Sequence, residues 1–197
     1  MFRKKTTNKF IYYIKISNNK MTKTIFFITG ASGTGKTTLV NELKKKYSNK
    51  TWLFLHFDSI GIPSTEEMVK EFGTIENWQK ETTFIWIDKL LNEFNKERII
   101  FEGQVNLEFI KQGFSKYNFS NYKIILIDCN KEAMAKRLTI DRNQPHLVNE
   151  NMKNWLKFLR NQAKALNVDI IETSNLNKKE VLDKFEKIIE RTTPYLQ

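Results

Sequence analysis

Residues Gly30 to Thr37 read GASGTGKT, in which Gly30, Gly35, Lys36 and Thr37 satisfy the pattern G-x-x-x-x-G-K-[ST] in full. The apolar run Ile25–Ile28 precedes it and the helix-like stretch 38–47 follows. Glycines at these spacings let successive backbone N–H groups turn inward, forming a concave anion nest at a helix N-terminus. In that context Gly30, Ala31, Ser32, Gly33, Thr34, Gly35, Lys36, Thr37 and Thr38 are the candidate phosphate-binding residues. The Lys36 ammonium is expected at the β- and γ-phosphates, and the Thr37 hydroxyl is the expected Mg²⁺ ligand. The chemistry this permits is binding of a nucleoside triphosphate, with the phosphoryl group passed to water or to an acceptor.

Three acids close apolar runs, where ligands of open α/β sheets bind. Asp58 in HFDSIG is the candidate catalytic carboxylate, placed to accept the proton of an attacking hydroxyl; its bland alternative is a turn cap made with Ser59. Glu102 in IIFEG takes a metal-holding position if its strand neighbours the first one. Asp128 is a third candidate metal ligand, with capping of the following helix alongside Asn130 as the favoured alternative. Arg142, in a polar loop, and Arg137, at a helix end, are candidates to stabilise charge on a transferred phosphoryl group; Arg160 faces a similar region. His56 reads as a packed or hydrogen-bonded core residue and His146 as solvated.

The elements that must position these residues alternate along the chain. Short apolar runs at TIFFIT (24–29), WLFLHF (52–57), RIIFEG (98–103), YKIILID (122–128) and VDIIET (168–173) read as five strands buried on both faces. Helical spacing recurs in Phe84, Ile87, Leu91 and Phe94, in Met152, Trp155, Leu156, Leu159 and Ala163, and in Val181, Leu182, Phe185, Ile188 and Ile189. Asn130 is placed to cap one helix, and Ser64 with Glu67 forms a capping box for another. The alternation predicts a three-layer α/β/α sandwich on a five-stranded parallel sheet with right-handed crossovers. About forty residues separate Asp58 from Ile99, more than a minimal crossover needs. Trp78, Phe84 and Trp86 with Lys80 and Lys89 could line an acceptor pocket there, or the aromatics could be helix core.

With 197 residues, 40% of them hydrophobic, the chain is sized for one domain over residues 21–197. The lone Cys129 excludes an intramolecular disulfide or a multi-cysteine zinc site and fits the cytoplasm. The net charge of +11 is uneven, since residues 1–20 hold six basic residues and no acid, leaving 27 basic against 22 acidic residues elsewhere. That balance of +5 is met by an anionic substrate as readily as by a polynucleotide, so nucleic acid is a possible partner and not a required one. Residues 1–20 read as an appendage, for which an upstream start codon, a basic targeting or membrane-surface segment, and an extra strand are three open readings. The sequence does not encode a legible oligomeric state.

Taken with these residues, the chain from about 21 to 191 resembles the small P-loop kinases of the nucleoside-monophosphate-kinase and shikimate-kinase type, and is similar to bacterial AAA-family ATPases. The resemblance implies strand order 2-3-1-4-5, an acceptor-binding insert at about 59–97 and an arginine-bearing lid at about 139–151. It also lends Asp58 its base role and places the TSNLN loop, with Ser174 and Asn175, near the adenine. The function implied is ATP- and Mg²⁺-dependent transfer of the γ-phosphoryl group to a small hydroxyl- or phosphate-bearing acceptor. A polynucleotide-end kinase or RNA-repair subunit, and a nucleotide-sensing module with little chemistry, are the alternatives. The acceptor stays open, because neither an adenylate-kinase-like acceptor signature nor a shikimate-binding arginine and glycine set is present.

Overall fold

The computed structural model describes residues 23–48 and 51–192; the basic segment 1–20 lies outside the described residues. Five strands, β1 (Thr24–Thr29), β2 (Trp52–His56), β3 (Arg98–Glu102), β4 (Tyr122–Asp128) and β5 (Asp169–Glu172), form one sheet in the order β2-β3-β1-β4-β5 with every pairing parallel. The helices are α1 (Lys36–Lys46), α2 (Thr65–Phe72), α3 (Ile75–Asn92), α4 (Leu107–Lys116), α5 (Lys131–Lys136), α6 (Glu150–Ala165) and α7 (Lys178–Thr192). The long β2–β3 crossover holds a 3₁₀ turn, Phe57–Ile60, followed by α2 and α3.

Strand periodicity divides the core into two layers. Ile25 and Phe27 of β1, with Ile99, Phe101 and Leu126, meet Trp86, Ile87 and Leu90 of α3, Phe114 of α4 and Leu159 of α6. The alternate residues Phe26 and Ile28, with Ile100, Ile125 and Ile127, meet Leu39, Val40 and Leu43 of α1 and Val181, Phe185 and Ile188 of α7. The central strands β1, β3 and β4 therefore bury both faces, whereas the edge strands β2 and β5 are only partly buried, so the expectation that all five are covered on both sides holds for the middle of the sheet alone. Trp78 and Trp86 belong to the first layer, so core is their role: Trp86 Nε1 donates to Phe57 O at 3.0 Å. Phe84 packs beside Gly113 and carries Lys80 and Lys116 over its ring at 5.8 and 5.4 Å. The capping box at Ser64 and Glu67 and the Asn130 cap of α5 both form. Among the described residues no helix is long and apolar enough to cross a membrane.

Candidate active site

The candidate site residues lie at the C-terminal edge of the sheet, where the strands end and the loops begin. Gly30 leaves β1 with φ +155°, and a Cβ there would stand 2.3 Å from Ile127 O, so the first turn of the loop presses on β4 in a way only glycine permits. Gly35 is the left-handed N-cap of α1. That cap supplies no side-chain hydrogen bond, and the first turn of α1 contains no acid. Its terminal N–H groups and the positive end of the helix dipole are thus left for an anion.

Lys36 opens α1 and is buried, with Nζ donating to Ala31 O at 3.0 Å across the loop. Burial lowers its pKa to about 8; Glu102 and Asp58 oppose that shift by attraction, while Arg142 adds to it. Asp58 lies exposed in the 3₁₀ turn after β2, and Arg142 lies exposed just past the irregular turn 137–141 that extends α5. Thr37 Oγ1 donates to Glu102 Oε1 at 3.4 Å. The other carboxylate oxygen, Glu102 Oε2, is buried without a hydrogen-bond partner and stands 3.4 Å from His56 Nδ1. A carboxylate with an unsatisfied buried oxygen beside a hydroxyl fits a hard cation that takes oxygen ligands.

Several expectations are corrected by the geometry. Asp128 does not join the Thr37 and Glu102 pair: its oxygens accept from Arg160 Nε and Nη2 at 2.5 and 3.0 Å and from Cys129 N at 2.9 Å. Arg160 is therefore the half-buried ion-pair partner of Asp128. Arg137 points at the protein, donating to Thr34 O at 3.2 Å and to Thr173 Oγ1 and O at 2.9 and 2.7 Å, so it ties the phosphate loop to β5. Ser174 accepts from Asn130 N at 2.7 Å and donates to Glu172. A cleft of about 550 Å³ runs from residues 33–39 past Arg137, Asp141 and Arg142 to Leu176 and Asn177, without Ser174 or Asn175. Of the TSNLN loop, Thr173, Leu176 and Asn177 line this cleft and Ser174 and Asn175 do not. Cys129 is buried, and its thiol is pushed up to about 11, chiefly by that burial, so it stays protonated and inert.

Sequence reasoning missed two side chains. His56 is no core residue; it is half-exposed, with Nε2 3.3 Å from Lys44 Nζ and Nδ1 facing Glu102. Gln104 accepts from Ser32 Oγ at 3.1 Å and so touches the phosphate loop from the β3 side. A second cavity, of about 610 Å³, lies at the opposite edge of the sheet among Lys111, Asn118, Lys123, Asn167 and Asp169, and contains none of the site residues.

A parallel 2-3-1-4-5 sheet with an anion nest after its central strand is the fold of the small P-loop kinases. A family model described as AAA domain matches residues 26–157, more than half of the chain, and the protein belongs to that family. Among solved structures it is similar to a shikimate kinase from Acinetobacter baumannii in complex with shikimate, at 18% identity and TM-score 0.58 over 92% of this chain and 99% of that one. A gluconokinase from Sinorhizobium meliloti 1021 aligns at 11% identity and TM-score 0.62 over 88% and 94% of the two chains. A shikimate kinase from Bacteroides thetaiotaomicron aligns at 19% identity and TM-score 0.58, over 85% and 98%. At these identities the likeness is one of fold. No curated protein matches the chain.

Proposed function

We propose that the protein is an ATP- and Mg²⁺-dependent phosphotransferase acting on a small hydroxyl- or phosphate-bearing acceptor. The observation that carries the reading is the uncapped N-terminus of α1 with Lys36 buried across the loop and Thr37 Oγ1 3.4 Å from the Glu102 carboxylate, whose other oxygen is buried without a hydrogen-bond partner. The triphosphate lies along the uncapped N-terminus of α1, with Lys36 on its β- and γ-phosphates and the nucleoside in the cleft toward Leu176 and Asn177. Thr37 and Glu102 are the residues that would hold Mg²⁺, which when bound would offset the charge of the phosphates. Asp58 takes the proton of the acceptor hydroxyl as its oxygen attacks, and Arg142 meets the charge that develops on the phosphoryl oxygens.

The segment 59–97 supplies the acceptor side and 139–151 the cover. The lone buried thiol of Cys129 supports a cytoplasmic setting. The test is ADP formation from MgATP with a mixed pool of small metabolites, set against Lys36→Ala. Asp58→Asn should keep the affinity for MgATP and lose about 10²- to 10⁴-fold in turnover. Unchanged turnover would remove Asp58 from the reaction.

A further inference from the structure

His56 joins the acid beside Thr37 to the turn that carries Asp58. It ends β2, and the parallel register sets it opposite Glu102, the last residue of β3. On its other side Glu102 pairs with Ile28 of β1, just before the phosphate loop. The two carboxylate oxygens meet different neighbours: Oε1 accepts from Thr37 Oγ1 at 3.4 Å, and Oε2 lies 3.4 Å from His56 Nδ1. Among the described residues Oε2 is buried and accepts no hydrogen bond, so the direction of this carboxylate depends on what faces it.

The second ring nitrogen decides where the proton of a neutral His56 sits. Nε2 lies 3.3 Å from Lys44 Nζ, further along α1 from Lys36. An ammonium only donates, so Nε2 presents its lone pair to Lys44 and the ring N–H falls on Nδ1, the nitrogen facing Glu102. The backbone of His56 is held as well. Ser59 Oγ donates to His56 O at 2.7 Å and Gly61 N donates to Asp58 O at 3.0 Å, bonds that close the 3₁₀ turn on which Asp58 sits.

We propose that His56 is a positioning residue for the metal-holding carboxylate. Its Nδ1–H draws Glu102 Oε2 toward β2 and leaves Oε1 turned to Thr37, where Mg²⁺ would be held. The proposal rests on the phosphotransferase reading above and names the residue that orients its metal site. His56 acts through Glu102 and makes or breaks no bond in the transfer. A donor directed at a metal-holding carboxylate commonly sets metal affinity by about 10- to 100-fold. A histidine that served only to hold Lys44 would need Nε2 alone. Asparagine and glutamine separate the two roles, because the amide of asparagine ends at the level of Nδ1 and that of glutamine at the level of Nε2.

Mn²⁺ is the probe, titrated into the full chain with ADP and read by the electron paramagnetic resonance of the free ion. The wild type with ADP should hold Mn²⁺ at least about tenfold tighter than ADP alone does, and Glu102→Gln should lose most of that gain. His56→Leu should weaken Mn²⁺ about tenfold, while ADP affinity without metal, measured by calorimetry, stays unchanged. His56→Asn should recover most of the loss and His56→Gln should not. Where His56→Leu fails to fold, the Asn and Gln variants carry the test, since both keep a polar side chain at the strand end. Unchanged Mn²⁺ affinity in His56→Leu, or a Gln variant that holds Mn²⁺ as well as the Asn variant, overturns the proposal and leaves the phosphotransferase reading standing. A wild-type chain that binds ADP and holds Mn²⁺ no tighter than ADP alone overturns both.

Discussion

At Lys36 folding and binding pull in opposite directions, and Lys36→Met measures the conflict. The unfolded chain titrates this group at the ordinary 10.5, whereas burial holds it at about 8 in the folded chain. Below about pH 8 both states are protonated, and folding carries the whole difference, about 3 kcal/mol at about 1.4 kcal/mol per pH unit. Between those two values the unfolded chain holds more protons, so stability rises with pH and the penalty fades. Methionine has similar length and no charge, so the substitution removes the penalty and loses the hydrogen bond to Ala31 O, worth about 1 kcal/mol. Thr34 continues to donate to that carbonyl from Oγ1 at 2.9 Å. The nucleotide-free variant should therefore be about 2 kcal/mol more stable near pH 7, a rise in Tm of about 4 to 8 °C for a chain of this size. By about pH 9.5 the gain should nearly vanish, because the wild-type lysine is then largely neutral in the folded state. Thermal denaturation of both proteins at the two pH values is the assay. A variant no more stable near pH 7, or one equally favoured at both, refutes the reasoning. Saturating MgATP should reverse the order, since only the wild type binds it.

The same titration predicts that MgATP affinity falls by about tenfold or more between about pH 7.5 and about pH 9.5, and that Lys36→Arg flattens the profile; calorimetric titration at several pH values reads both. Glu102→Gln should raise the Mg²⁺ concentration for half-maximal turnover about tenfold, measured by varying Mg²⁺ at fixed ATP. Arg160→Ala strands a buried Asp128 carboxylate, and with the arginine itself partly exposed the loss should be about 2 to 3 kcal/mol by denaturant unfolding. Arg142→Ala should lower kcat about 10²- to 10³-fold in the acceptor-stimulated assay with no change in Tm, because its side chain is exposed.

What the sequence made legible was contiguous or periodic. The central strands were readable because they are buried on both faces and so carry no polar interior, as β1 shows in six consecutive buried residues, while the partly exposed β2 and β5 were readable from their apolar and β-branched content. The phosphate loop was readable because the glycines, the lysine and the threonine that build it lie within one turn of chain. Capping at Ser64 and Asn130 is likewise settled within three residues. The strand order came from the resemblance, since nothing local to β3 says that it lies between β2 and β1.

The misread residues are those whose partners lie on other elements. Asp128 and Arg160 are 32 positions apart, and Arg137 reaches Thr34 across 103. No spacing rule links them, and each alone looks like an available charge. His56 and Glu102 carried a weak signal, since each ends a strand and the two strands prove to be neighbours in register. That register turns two separate strand-end residues into one cluster with Lys44 and Thr37. Sheet order therefore separates the two kinds of acid: Asp128, opposite α6, is taken by Arg160, whereas among the described residues Glu102 at the end of β3 has no arginine partner and stands beside His56 and Thr37.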